Sequence, residues 1–396
     1  MLEGWWDMKR LIIISLIIIC TGCFNYNELN DYAIATGMAI DKSDDGYEVS
    51  MLISNSPKSS EKNYTTVVYS GKGKTIYEAI KQIGLISPKE LYIGHLSILI
   101  ISDEVAKEGI TSSIEFLLQE PRSKKNFYVA LSKNNKAKDV LSITSPLTDF
   151  PSQNLATNLK ATNNLQGSVS AIDFNTLLYK LVNRGVDLTL NGFTIVGDIK
   201  DGVKESNMET NKPSSYIKLT NQAIFKDDRL ITWSNKDESR GINIINDKIH
   251  EMYIRVKCDD GYIVVDTNTL ETKKSVDKEG SVKLNTKGKA SISEITCNID
   301  LAKPSNIKKI EKKINNKIKD LELKAIKLSK KYSTDIFGVG LMYYQDYPYN
   351  YNKIKDYDKY YKNIKFKTNV DIKINTSGSI KQTLKNIEGS KYEEDN

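Results

Sequence analysis

The chain is poor in the residues that carry most enzyme chemistry. It has two histidines, His95 and His250, and four cysteines in 396 residues. That supply offers no set of cysteines and histidines at zinc-ligand spacing. No Gly-x-Ser-x-Gly nucleophile turn occurs. His95 follows Gly94 and precedes an apolar stretch with no nucleophile motif beside it, so a hydrogen-bonded structural histidine is expected. His250 is isolated. Gly73-Lys74-Thr75 has the ending of a phosphate-binding loop, but the earlier glycine falls on Val68. Asp41-x-x-Asp44-Asp45-Gly46 has Ser43 and Leu52 where a calcium loop needs ligands, and it reads as a hairpin turn. No catalytic residue, metal ligand or cofactor site emerges, and no enzymatic activity is expected.

Long apolar runs are scarce too. One runs from Leu11 to Cys20, broken only by Ser15. It is too short to cross a bilayer, which takes about 20 apolar residues. It follows Met8-Lys9-Arg10 and precedes Thr21-Gly22-Cys23. A basic stretch, a short apolar stretch and small residues together read as a secretory signal. Cys23 stands where a bacterial lipoprotein processing box places its acylated cysteine. The expectation is that residues 1–22 are a lipoprotein signal peptide. Residues 23–396 then lie outside the cytoplasm, anchored to a membrane through Cys23 without spanning it. The alternative is a plain cleaved signal peptide. Seven residues, with Trp5 and Trp6, precede Met8, so Met1 and Met8 are both candidate starts.

Hydrophobic content of 39% and charged content of 27%, with mean hydropathy of −0.42, fit a folded body beyond the leader. The formal charge is +7. Such an excess suits an anionic bilayer, where each basic residue near the headgroups contributes about 1 kcal/mol. It also suits an acidic partner or a plainly solvated surface. Beyond Cys23 only Cys258 and Cys297 remain. Both lie in strand-like stretches, Ile254–Cys258 and Ala290–Cys297. An oxidising compartment permits a disulfide between them, and two buried free thiols are the other reading.

The hydrophobic pattern predicts an α+β, multi-domain fold with mixed or antiparallel sheets and packed helices. Ala33–Ile40 and Tyr47–Ile53 read as strands. Ile76, Ala79, Ile80 and Ile83 make a helical stripe, and Leu96–Ile101 a buried strand. Asp103 is the expected N-cap of the next helix, and Phe127–Leu131 is a strand. Residues 144–167, rich in Ser, Thr, Asn and Pro, read as irregular. Phe174, Leu177, Leu178, Leu181 and Val182 mark a helix. Residues 23–200 form an N-terminal α+β domain and 201–215 a polar linker. Residues 216–385 form a C-terminal α+β domain and 386–396 a disordered tail. In the second domain, strand candidates precede one long amphipathic helix at about 305–331. Ile310, Ile314, Ile318, Leu321, Ala325 and Leu328 form its apolar stripe. Residues 343–361 hold eight of the 22 tyrosines, interleaved with lysines. For an exported chain this is no nucleic-acid surface. It suits a protein interface or a headgroup zone, or tyrosines packing the last helix and strand.

Several blocks resemble one family. Cys23-Phe24-Asn25-Tyr26-Asn27-Glu28-Leu29 is similar to the start of mature Ger(x)C proteins. The resemblance continues through Ala33–Gly37, Ile40–Lys42, Leu91–His95, Ile224–Leu230 and Glu238–Gly241. The most distinctive block is Asp335-Ile336-Phe337-Gly338-Val339-Gly340, after the long helix. Phe24 replaces a common Trp, and Gln119-Glu120-Pro121 departs from the usual Arg-Asp. The family's members are C subunits of GerA-type nutrient germinant receptors. The resemblance implies a lipoprotein on the outer face of the inner spore membrane, with a membrane-embedded A subunit and a permease-like B subunit as partners. It implies a multi-domain α+β body without known enzymatic activity. The role expected here for that body is a scaffolding subunit that supports receptor assembly from the outer face. Two rival readings are a ligand-binding lipoprotein that hands a nutrient to the permease-like subunit and a cell-envelope hydrolase. Asp335–Gly340 is expected to serve backbone geometry, with an interface as its other reading.

Overall fold

A computed structural model describes Trp5 and residues 31–54, 66–148, 150–163, 167–249 and 251–375. Apart from Trp5, the leader, Cys23, His250 and the tail 386–396 lie outside the described residues.

The first nine strands are β1 (Tyr32–Ser43), β2 (Gly46–Ser54), β3 (Thr66–Gly73), β4 (Glu90–Tyr92), β5 (Ile98–Ser102), β6 (Tyr128–Ser132), β7 (Thr189–Gly197), β8 (Ser215–Lys226) and β9 (Arg229–Trp233). They form one mixed sheet in the order β3-β2-β1-β5-β6-β7-β8-β9, with β4 beside β1. The pairs from β1 to β5, β6 and β7 are parallel, and the flanking pairs are antiparallel. The connections explain this. Parallel neighbours need crossovers, and helices α1 (Ile76–Ile86), α2 (Asp103–Glu108), α3 (Thr111–Gln119), α4 (Ala137–Ser142), α5 (Pro151–Asn163) and α6 (Phe174–Val182) supply them.

Alternating side chains split the sheet's apolar residues into two cores. Met38, Ile40, Leu99, Ile101, Val129 and Leu131 pack with α1, α2, α3 and α6. Ala39, Leu52, Ile98, Ile100 and Ala130 pack with α4 and α5 on the other face. Burial on both faces is why Ile98–Ile101 is a continuous apolar run. The stripe Ile76, Ala79 and Ile83 is buried as its spacing requires, and Thr75 with Glu78 closes a capping box at the start of α1. The N-cap of α2 is Ser102, whose side chain accepts from the Val105 N–H, and Asp103 is the first helical residue. Residues 151–163, expected to be irregular, are helix α5. Leu155 and Leu159, one turn apart, are what it buries.

The polar segment 201–215 is built onto this sheet. It begins within α7 (Ile199–Gly202) and contains a 3-10 turn at Glu205–Asn207. The buried Asn207 side chain donates to the Thr144 and Ser215 carbonyls at 3.1 Å each. The chain then re-enters the same sheet as β8 and β9, so the sheet continues past residue 215.

Helix α8 (Lys236–Ile245) leads to a four-stranded sheet, β10 (Met252–Lys257), β11 (Tyr262–Val276), β12 (Val282–Ile295) and β13 (Phe366–Ile374), in that order. The first two pairings are antiparallel and β12–β13 is parallel. Between β12 and β13 run α9 (Pro304–Tyr332), α10 (Val339–Asp346), α11 (Pro348–Tyr351) and α12 (Tyr357–Asn363). Helix α9 has 29 residues, begins with Pro304 and stops at Ser333, whose φ of 55° is left-handed. Ile310, Ile314, Ile318, Leu321, Ala325 and Leu328 are all buried. Each larger one contributes roughly 1.5–3 kcal/mol of hydrophobic stabilisation, while lysines occupy the wet faces. Helices α8 and α9 approach closely at Gly241, where a Cβ would collide with the Leu321 carbonyl.

Candidate functional site

The distinctive block Asp335–Gly340 lies where the two sheets' subdomains meet. Gly185, with a φ of 71°, turns the chain after α6, and residues 185–188 run alongside the segment that leaves α9. The two stretches exchange backbone bonds: Asp187 N–H to the Asp335 carbonyl at 2.8 Å and Leu341 N–H to the Gly185 carbonyl at 2.9 Å. Gly340 permits this approach, because a Cβ there would meet Gly185 and the Tyr357 hydroxyl. Gly338 has a φ of 68°, which suits glycine at the start of α10.

Two buried aspartates lock the contact. Asp187 is 8% exposed and Asp335 1%. The Asp335 N–H donates to Asp187 Oδ2 at 2.6 Å, and the Asp227 N–H donates to Asp187 Oδ1 at 3.2 Å. Lys226 Nζ lies 3.7 Å from Asp187 Oδ2 and 2.7 Å from Asp358 Oδ1. It also donates to the Ser333 carbonyl at 3.1 Å. The Asp335 carboxylate accepts from Val339 N–H at 3.0 Å and Gly340 N–H at 2.6 Å. The Tyr357 hydroxyl adds a third bond at 2.6 Å. Asn246 donates to the Ile336 carbonyl at 3.0 Å and Lys274 to the Phe337 carbonyl at 2.7 Å.

Burial pushes the Asp187 carboxyl up to about 6, with Lys226 and two backbone N–H groups pulling the other way. Burial raises Asp335 too, against its bonds from Tyr357, Gly340 and Val339. Lys274 is pushed down to about 8, also by burial. Tyr357 is raised by burial and by the Asp335 charge. Both carboxylates have each oxygen engaged by donors. Such a cluster holds two units in one arrangement.

Helix α8 adds a second set of bonds. Asn243 donates to the Gly167 and Val169 carbonyls at 3.1 and 3.0 Å, and accepts from Gln222 at 2.6 Å. Ser239 accepts from the Gln222 N–H at 3.1 Å. Arg240 donates to the Tyr253 carbonyl on the other side. Thus Glu238–Gly241 and Asp335–Gly340, far apart in sequence, lie on the same joint. The tyrosine-rich stretch covers it. Tyr343 and Tyr361 are buried, while Tyr344 and Tyr349 are 48% and 73% exposed. Tyr343 and Tyr360 stack with ring centres 6.0 Å apart.

The other candidates fall elsewhere. His95 is exposed beside Tyr92, ring centres 5.7 Å apart. No hydrogen bond to it occurs among the described residues, so the expected hydrogen-bonded role is not found. Asp41 is in β1 rather than in the turn, and its buried carboxylate caps α4 through the Ala137 and Lys138 N–H groups at 2.7 and 2.9 Å. Burial raises its pKa. Cys258 and Cys297, just past the ends of β10 and β12, are joined as a disulfide with Cα atoms 6.3 Å apart. Asp41 was read only as part of a turn and Asp187 was not singled out, because their partners lie 96 and 148 residues away.

Comparison with known proteins fits this architecture. Residues 25–195 match the model of the spore germination protein N-terminal domain. Residues 220–378 match that of the spore germination B3/GerAC-like C-terminal domain. The chain belongs to the Ger(x)C family of spore germination proteins. Spore germination protein KC of Bacillus subtilis is similar, 25% identical over 89% of this chain and 91% of its own length. Spore germination protein GerQC of Bacillus cereus is 22% identical over 94% of this chain and 99% of its own length. The crystal structure of the GerBC protein matches with a TM-score of 0.50 at 14% identity, over 88% of this chain and 99% of that one. That last likeness carries the fold. Membership places the chain among non-enzymatic proteins. Among the described residues, no helix is long and apolar enough to cross a membrane.

Proposed function

We propose that this Ger(x)C protein is the lipid-anchored C subunit of a nutrient germinant receptor, and that it supports receptor assembly at the outer face of the inner spore membrane. The reading rests on one observation: the two germination-family models match in order and together span most of the chain. Its partners are a membrane-embedded A subunit and a permease-like B subunit. Acylation of Cys23 would confine the body to the membrane plane, so that docking becomes nearly intramolecular and gains from a high effective concentration. The joint at Asp187 and Asp335 would contribute by presenting both subdomains as one preorganised surface.

The test is a pull-down of tagged chain from detergent-solubilised spore inner membrane, with partners read by mass spectrometry. Recovery of an A-type and a permease-like B-type subunit supports the proposal. Recovery of the chain alone, from membranes that contain both, overturns it. Cys23→Ala should leave a folded body and lower receptor assembly and nutrient-triggered germination. Calorimetry with amino acids separates the rival nutrient-binding reading, since a scaffolding subunit gives no heat.

A further inference from the structure

A cleft of about 460 Å³ opens between the outer edge of β10 and the side of α9, lined by Arg255, Val256, Lys257, Tyr262, Lys313, Asn316 and Lys317. Four of its seven lining residues are cations. Strand and helix geometry brings them together. Arg255 and Lys257 alternate outward from β10, and Lys313 and Lys317 sit one turn apart on α9. Tyr262 is the register partner of Lys257, and its ring lies 4.9 Å from the Arg255 guanidinium, which orients that group. Lys313 Nζ is held by the Lys257 carbonyl at 2.8 Å.

Of the four cations, only Lys317 has acids to neutralise it among the described residues. Lys317 pairs with Asp237 at 3.2 Å and Asp320 at 3.8 Å. Among the described residues, no carboxylate lies within ion-pair distance of Arg255, Lys257 or Lys313. Like charges crowded into a concave site repel one another and focus a positive potential there. An anion with several oxygens relieves this, and Arg with Lys and an amide is the donor set that suits phosphate.

We infer that this cleft binds a phosphate group, carried either on an anionic lipid headgroup or on a free phosphate. Arg255 takes two oxygens through its planar fork, Lys257, Lys313 and Lys317 supply charge, and Asn316 donates an amide N–H. The inference goes beyond receptor assembly and does not depend on it.

The test uses the full chain in non-ionic detergent, with inorganic phosphate followed by calorimetry, and the same chain in flotation with phosphatidylcholine vesicles with and without phosphatidylglycerol. The double variant Arg255→Gln/Lys313→Gln removes two exposed cations without touching a core. A control variant, Lys287→Gln/Lys289→Gln, removes the same charge from exposed positions on β12. The cleft variant should weaken phosphate binding by about tenfold or more, which is about 1.4 kcal/mol, while the control does not. Phosphate heat lost in the cleft variant assigns a free phosphate. Preference for phosphatidylglycerol lost in the cleft variant, with no phosphate heat, assigns a lipid headgroup. Neither signal in the wild-type chain, or equal losses in the cleft and control variants, overturns the proposal.

Discussion

Glu322 makes the second subdomain's stability depend on pH. It sits on the face of α9 that packs against β12 and is fully buried. One oxygen accepts from Thr286 Oγ1 at 2.5 Å, and that hydroxyl lies 2.9 Å from Thr272 Oγ1. The other oxygen, Oε2, has no partner among the described residues. Burial lifts the carboxyl from 4.5 to about 7, with the Thr286 bond opposing. A raised acid is held protonated by the fold. Its contribution is therefore full below the unfolded value of 4.5 and is lost as pH rises through about 7. That difference corresponds to about 3 kcal/mol over the whole window, most of which falls between pH 5 and pH 8. Glu322→Gln cannot ionise, and its amide N–H₂ meets no acceptor, which costs about 1–3 kcal/mol at every pH. Denaturant unfolding of the full chain and the variant at pH 5, 6.5 and 8 tests this. The variant should be the weaker at pH 5, and the gap should close by about 2–3 kcal/mol by pH 8. Asp187, raised to about 6, titrates in both proteins and cancels in the comparison. A gap that stays constant within about 0.5 kcal/mol refutes the buried ionisation.

Other substitutions probe the joint and the covalent tie. Asp335→Ala strands the Val339 and Gly340 N–H groups and the Tyr357 hydroxyl. It should cost about 3–5 kcal/mol, and limited proteolysis should show faster cleavage between the subdomains; unchanged cleavage would speak against a joint. Cys258→Ser opens a disulfide that spans 39 residues of sequence. It should lower unfolding stability by about 2–4 kcal/mol, and a dithiothreitol-insensitive midpoint in the parent chain would contradict that. Gly241→Ala should destabilise by about 1–3 kcal/mol, opposite in sign to the helix propensity gain of about 1 kcal/mol. A stabilised variant would mean that α8 and α9 are not in backbone contact.

The sequence patterns were most legible where burial follows a local period. The stripes of α1 and α9 and the continuous run of β5 each needed only one element's residues to be read. Helix α5 was missed because Ser, Gln, Asn and Thr dominate Pro151–Asn163, and only Leu155, Ala156 and Leu159 mark its inner face. Leu155 and Leu159 at i and i+4 were the available signal. The polar segment 201–215 has linker composition, yet the buried Asn207 side chain ties it to the sheet. The joint was half legible. Its glycines in Asp335–Gly340 announce unusual backbone, but nothing near Asp187 tells that its carboxylate will meet an N–H 148 residues later. Pairings of that range are set by tertiary packing, which is also why the sequence left Cys258 and Cys297 open between a bond and two thiols.

The strand order has a consequence in time. Once residues up to 200 have emerged from the synthesis or export machinery, β7 has nothing on its far side, because β8 and β9 still lie ahead in the chain. The first sheet's unfinished edge is then an open template for pairing with other chains. Phe225 and Leu230, which complete its core, arrive next, and the N–H that engages Asp187 Oδ2 arrives only with residue 335. The two family units share a schedule as well as a contact, and a fragment cut at residue 200 should aggregate where the longer chain folds.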